Sequence, residues 1–441
     1  MRIVQAAGWY APDSLGGTEL YVAALSDRLR RLGHDVLVAA PDAAHTSERH
    51  YAHDGIPVYR YPIPESITRD EARGFALVRG AERFHRWLSS AHADVVHVHT
   101  FVTGLGLAEV AAARAAGSRV IVTSHSASLG FLCERGTMLR LGRALCDGVA
   151  EPIKCATCAL QKRGVPPWAG ALASRVERVA PASVDLPGRV GTLFAMPSLI
   201  RANMAAQERL FSLVDAFVVL SRWAAEALMA NGAPPEKVVL NRLGVAPRIG
   251  GWPSKAPPQQ APTTSPIAVG YVGRAEDIKG LEDFVRAVVL MKKAVPIQAR
   301  VVALASGEHE RTILERCRRL AARDARVVFE DPVNPHKIPA LLASLDVLVC
   351  PSRALEGGPT IALEAHAVGT PVVGSAIPAL SELIRDGVNG ALYPPGDVRR
   401  LAGLLTELAH DPARIDTWRT QLPAVRLFDA VTAEYLRLYQ A

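Results

Sequence analysis

Short apolar runs rich in β-branched residues alternate along this chain with longer stretches whose apolar positions recur every three to four residues. The first pattern predicts buried strands and the second amphipathic helices, so their alternation predicts α/β layers built on parallel sheets. In the first half, strands are predicted over Arg2–Ala7 (RIVQAA), His34–Asp42, Pro57–Pro62, Asp94–Thr100 (DVVHVHT), Arg119–Ser126 (RVIVTSHS), Val214–Ser221 and Lys237–Val245. Helical patterns cover Thr18–Leu32, Leu107–Ala116 and Trp223–Ala230.

From Gly250 to Pro266 the chain is rich in Pro, Gln, Ser and Thr and loses its hydrophobic period, which marks 250–266 as a linker. A second alternation follows. Its predicted strands are Ile267–Arg274, Ala299–Ser306, Arg326–Asp331, Asp346–Ser352 and Pro371–Ala376. Its helices are predicted over Leu281–Lys293, Arg311–Arg323, Ile338–Ser344 and Val398–His410, with another opened by Pro359. The fold class is therefore α/β, with two Rossmann-like parallel-sheet domains at about 1–249 and 267–425. Ligands of such domains sit at the carboxyl ends of the strands, which makes a cleft faced by both domains the expected site.

Composition adds bounds. A chain of 441 residues with 49% hydrophobic content can fill two or three cores. The first residues, MRIVQAAGWYAP, lack a signal-peptide pattern, and no run approaches about 18 apolar residues, so a cytoplasmic chain without a spanning helix is expected. The formal net charge is +7, and Phe131–Leu210 holds eleven Lys/Arg against six Asp/Glu. Charge alone does not choose among anionic lipid headgroups, nucleic acid, a phosphorylated substrate and plain solvent as the partner of that stretch.

Candidate chemistry lies in the loops after the strands. Ser14-Leu-Gly16-Gly17-Thr18 follows the first strand and opens a helix; paired glycines there let backbone approach a ligand and present N–H groups to an anion, or simply make a flexible loop capped by Thr18. Gly273-Arg274 and Lys279-Gly280 follow the first strand of the second domain, where a guanidinium fork and an ammonium five residues apart suit a diphosphate. Leu355-Glu356-Gly357-Gly358-Pro359-Thr360 follows the strand DVLVCPS. Pro359 suits the first helical position, which leaves Gly357 and Gly358 to expose amides at the positive helix end. Glu364, about two turns into that helix, leans back toward its start and suits a pair of hydroxyls such as a ribose.

Together these motifs, with PALSELIRDGVNGALYPPGD and VVLSRWAAEALMANGAPPEKVVLNRLGV, resemble the GT-B glycosyltransferases of the large family 4 over nearly the whole chain. The resemblance implies a retaining glycosyltransferase of hexosyltransferase type, moving a sugar from a UDP- or GDP-sugar to a glycan or lipid-linked acceptor in cell-envelope or polysaccharide synthesis. It implies that Arg274 and Lys279 contact the diphosphate and Glu364 the ribose. Glu356 then holds the donor sugar beside Gly357, Gly358, Pro359 and Thr360, and Gly16 and Gly17 close over the phosphates. His125, in VTSHS, matches the family histidine that contacts the sugar near the reacting centre. Catalysis in this family needs no metal or other cofactor, and no Asp-x-Asp is present to hold one. The amphipathic segment 426–441 is expected to cross back to the first domain as a helix. No nucleic-acid partner is expected, whereas peripheral contact with an anionic inner membrane face is. Competing functions are a sugar-nucleotide epimerase on the same fold and a catalytically idle glycan-binding module.

Four of the six cysteines, Cys133, Cys146, Cys155 and Cys158, fall in an insertion at about 126–210. Cys155-x-x-Cys158 is a common half of an all-thiolate zinc site, which would fold a loop otherwise lacking a core. Reduced thiols and a disulfide or cluster are the alternatives. Two further features read as structural: Gly104-Leu-Gly106-Leu-Ala-Glu109 as helix-start packing, and His97 and His99 as core hydrogen-bonding residues rather than metal ligands.

Overall fold

The computed structural model describes residues 1–14, 16–68, 71, 76–179, 188–245, 266–355 and 358–441. The linker 250–266, apart from Pro266, lies outside the described residues, and so do Glu356 and Gly357. The chain divides into two compact units. The first comprises Met1–Gly142, Cys146–Arg242 and Phe428–Ala441, and the second Arg143–Leu145 with Leu243–Leu427.

In the first unit, β1 (Arg2–Ala6), β2 (Asp35–Asp42), β3 (Arg49–His53), β4 (Ile56–Pro62), β5 (Val95–Val98), β6 (Arg119–Thr123), β9 (Ala216–Val219) and β10 (Val238–Leu240) form one sheet in the order β10-β9-β6-β5-β1-β2-β4-β3. The short strands β7 (Leu139–Arg140) and β8 (Ala144–Leu145) lie in the cysteine-bearing segment. All pairings in the large sheet are parallel except β3 with β4. Strands β5 and β9 are buried at every position, as covered parallel strands require. Strand β3 has no counterpart in the predicted elements. Its sequence, RHYAH, puts polar groups on both faces, which an edge strand tolerates.

The second unit is a six-stranded parallel sheet in the order β13-β12-β11-β14-β15-β16. Its strands are β11 (Ile267–Arg274), β12 (Ile297–Leu304), β13 (Val327–Glu330), β14 (Val347–Cys350), β15 (Val372–Ser375) and β16 (Gly390–Tyr393). Phe284, Leu401, Leu405 and Trp418 seal one face of it and are almost wholly buried. In each unit one strand, β1 or β11, is flanked by strands reached in opposite directions. Loops leaving such a switch point splay apart and open a crevice at the strand ends.

Two packing features bear on function. The insertion has a core of its own, contrary to the expectation of a coreless loop: Ala156, Ala159 and Leu160 of helix Pro152–Lys162 pack on Met196 and Ile200 of helix Gly188–Leu213. Small alanines at helical spacing permit that close approach. The C-terminal helix Phe428–Gln440 lies against the first unit, burying Phe428, Val431, Tyr435 and Tyr439. Each such side chain contributes roughly 1.5–3 kcal/mol by leaving water. Arg28 pairs with Asp429 at 2.6 Å, and Asn241 donates to the Val431 carbonyl at 3.2 Å.

Candidate functional site

In the second unit the described candidate residues end or follow β11 and β14, which are neighbours, whereas Glu356 and Gly357 lie outside the described residues. Arg274 is the last residue of β11, and its half-exposed guanidinium is held by two carboxylates. Its Nη2 lies 2.7 Å from Glu310 Oε1 and 2.9 Å from Glu276 Oε1. Amides of Gly307 and Ser306, with Arg274, hold the Glu310 carboxyl below its usual range. These acids were not foreseen from sequence, although Glu276 stands only two residues from Arg274.

Lys279 ends a single helical turn, Asp277–Lys279, and is half-buried. Gly280 follows at φ +73°, and a Cβ there would lie 1.9 Å from the Pro351 carbonyl oxygen. Only glycine lets the Lys279 loop press so closely on the exit of β14. Arg353 strengthens the clasp: its backbone N–H donates to the Ile278 carbonyl at 2.7 Å, and its guanidinium grips the buried Asp283. Sequence reasoning missed Arg353.

The helix after β14 is Thr360–Ala367, with Pro359 at its N-cap rather than at its first position. Glu364 is consequently the fifth helical residue, a little over one turn in, and shares a face with the exposed Thr360. Gly358 sits at φ +148°, where a Cβ would meet Leu243 at 2.8 Å. His366, two residues beyond Glu364, is buried with both ring nitrogens unpartnered among the described residues, and burial lowers its pKa to about 4.

In the first unit, Gly16 caps the helix Gly17–Arg31 that follows β1. Thr18 is therefore inside the helix, and no side chain caps it. A Cβ on Gly16 would meet Glu19 Oε2 at 2.6 Å, because the buried Glu19 folds back to accept from Ser14 Oγ at 2.6 Å. Gly17, by contrast, faces open space. One turn on, Tyr21 meets the His125 ring edge to face at 4.8 Å. His125 follows β6 and hydrogen-bonds His99 at 3.1 Å. Burial holds it neutral, with its pKa lowered to about 3, although its ring keeps some access to the surface. His97 and His99 are fully buried and hydrogen-bonded: His97 to Tyr439 and Thr123, each at 2.7 Å, and His99 to Gln5 at 2.6 Å. Gly106 caps the helix Leu107–Ala115 and donates its N–H to Glu109 at 2.6 Å, the packing role expected of that motif.

Cys133, Cys146, Cys155 and Cys158 all line one cavity of about 40 Å³. All four are free thiols. Cys158 Sγ accepts the Leu141 N–H at 3.2 Å, and Cys155 Sγ the Glu151 N–H at 3.4 Å. Burial raises the pKa of the Cys146 and Cys155 thiols. Among the described residues no three or more Cys, His, Asp or Glu side chains stand as a group that could hold a metal ion.

Two Rossmann-like units, with glycine-opened helices and cationic loops at their strand ends, define a GT-B fold. Solved structures bear this out over the full chain. A sucrose-phosphate synthase from Thermosynechococcus elongatus matches at TM-score 0.65 and 18% identity, covering 100% of this chain and 98% of that one. Anabaena Alr3699/HepE in complex with UDP and glucose matches at TM-score 0.63 and 15% identity, covering all of both chains. The family model "Glycosyl transferase 4-like domain" matches residues 16–185, and "Glycosyl transferases group 1" matches residues 266–411. The chain belongs to the group 1, family-4-type glycosyltransferases. It is 28% identical to the amylovoran biosynthesis glycosyltransferase AmsK of Erwinia amylovora, over 56% of this chain and 61% of that one. It is also 28% identical to a D-inositol 3-phosphate glycosyltransferase of Kribbella flavida, over 49% and 53%. The chain thus spans a little over half the length of these curated relatives.

Proposed function

We propose that this chain is a retaining glycosyltransferase that moves a sugar from a UDP- or GDP-sugar to a glycan or lipid-linked acceptor in cell-envelope polysaccharide synthesis. The observation that carries this is the clasp of the Lys279 loop, through Gly280, against Pro351 at the exit of β14, the strand that precedes helix Thr360–Ala367. Likeness to AmsK and to a UDP-bound fold neighbour supports it.

Arg274 and Lys279 hold the diphosphate as negative charge grows on it, and Glu364 takes the ribose hydroxyls. Glu356, with Gly357, Gly358, Pro359 and Thr360, holds the donor sugar. Gly16 and Gly17 bring amides to the phosphates, and His125 meets the sugar near its reacting carbon. The bond from that carbon to the leaving phosphate breaks as the acceptor oxygen attacks from the same face. The acceptor proton passes to the leaving phosphate, and anomeric configuration is retained. Glu356 is therefore no nucleophile, and no metal or other cofactor takes part. Thermal-shift screening against UDP, GDP, ADP and their sugars tests the donor class. Stabilisation by one nucleotide family is expected, and no response to any of them contradicts the proposal.

The insertion then carries a structural zinc held by Cys133, Cys146, Cys155 and Cys158. Its support is their shared cavity and the two backbone amides already directed at sulfur. About one zinc per chain is expected by metal analysis, and well below one contradicts it. Among the described residues no helix is long and apolar enough to cross a membrane. Docking from the cytoplasm to an anionic leaflet fits the basic insertion, where Trp168 and Leu172 stand exposed four residues apart on one helix. Liposome binding that weakens with salt is the expected result, and salt-independent binding contradicts electrostatic docking.

A further inference from the structure

Three strands of the first unit meet the C-terminal helix through a network of side-chain hydrogen bonds. Gln5 on β1, His97 on β5 with His99 just beyond it, and Thr123 on β6 with His125 just beyond it supply one side. Tyr435 and Tyr439 supply the other. Gln5 Nε2 donates to Tyr439 Oη at 3.5 Å, Tyr439 Oη bonds His97 Nδ1 at 2.7 Å, and Thr123 Oγ1 bonds Tyr435 Oη at 2.9 Å. Gln5 is wholly buried, so its amide is turned by these partners and not by water.

Its orientation fixes a chain of protons. Gln5 Oε1 lies 2.6 Å from His99 Nε2, and an amide oxygen only accepts, so His99 Nε2 carries the hydrogen. His99 is fully buried and neutral, and a neutral imidazole has one N–H. His99 Nδ1 is therefore a lone pair, and the 3.1 Å bond to His125 Nε2 requires the proton on His125. His125 is neutral too, which leaves its Nδ1 bare. We infer that His99, anchored by Gln5, locks His125 as the Nε2–H tautomer, so that His125 meets the donor sugar through Nδ1 as a hydrogen-bond acceptor and not as an acid. What Nδ1 meets rests on the transferase proposal; the tautomer does not. His125 then recognises a sugar hydroxyl and gives no proton to the departing diphosphate. His99 is a positioning residue, and Tyr439 ties it to the C-terminal helix.

Long-range proton–nitrogen NMR on ¹⁵N-histidine-labelled protein reads the tautomer directly, with His125→Phe used for assignment. At pH 7 the expected result is a protonated Nε2 and a bare Nδ1 on His125. A proton on Nδ1, or an even mixture, overturns the inference. In His99→Phe, with Gln5→Leu as a second variant should the first not fold, the two His125 tautomers should mix. In the same variant kcat should fall about tenfold, with the donor KM within about twofold, as expected for one lost hydrogen bond. A fall in kcat with His125 still wholly Nε2–H also overturns it. Wild-type protein without turnover but with the tautomer intact would remove the sugar as the partner and leave the lock standing.

Discussion

Gly280 and Pro351 belong to loops that leave different strands, yet a Cβ on Gly280 would stand 1.9 Å from the Pro351 carbonyl oxygen. With φ at +73°, the position admits no side chain without moving one of the loops. Gly280→Ala is therefore expected to destabilise the protein by about 1–3 kcal/mol and to weaken nucleotide binding at least tenfold as Lys279 shifts. Urea unfolding and nucleotide titration check the two effects, and wild-type affinity in the variant would break the link between clasp and cation.

Gly17 makes the opposite case. It opens a helix and faces empty space, so alanine is acceptable there and slightly better for the helix. Gly17→Ala should keep or raise the melting temperature while kcat/KM falls about tenfold or more, as the proposed approach of this loop to the donor phosphates requires. A variant with unchanged turnover would remove this loop from donor binding.

Acid should unfold the protein partly through its histidines. His125 and His366 have pKa values lowered by burial to about 3 and about 4, and His97 and His99 lie well below the usual value. The unfolded chain titrates near 6.5, so between these limits it binds more protons than the folded one, and stability falls as pH drops. His366 alone accounts for roughly 3 kcal/mol by pH 4. Urea unfolding at pH 7, 5.5 and 4.5 should show the decline, and His366→Leu should flatten part of it. The same slope in that variant would contradict the assignment.

The proposed zinc makes the insertion the first region to respond to chelation. Chelation, or Cys158→Ser, is expected to loosen helix Pro152–Lys162 at its first two turns while the six-stranded sheet keeps its stability. Hydrogen exchange resolves the two regions, and unchanged protection of Cys155–Lys162 after chelation would argue against a structural ion.

The sheets were legible because strands such as VLVC and AFVV are buried on both faces and read as unbroken apolar runs. The positions of the loops were legible too, since Gly16-Gly17 and Lys279-Gly280 each stand where a helix opens after a strand; the press of Gly280 on Pro351 was not. Partnerships across the chain were not. Glu310 reaches Arg274 over 36 residues, and Tyr439 reaches His97 over 342, and no local pattern encodes either. The core of the insertion was hidden because Ala156 and Ala159 carry little hydrophobic signal and their partners Met196 and Ile200 lie on a separate helix far along the chain.

The most direct measurement of the central claim is release of nucleotide diphosphate from UDP- and GDP-sugars by the wild-type chain and by Lys279→Ala. Turnover of at least one donor is predicted, falling about a hundredfold or more in the variant as a charge-assisted contact to the leaving group is lost. No turnover across the panel, or a Lys279→Ala variant as active as the wild type, would contradict the account.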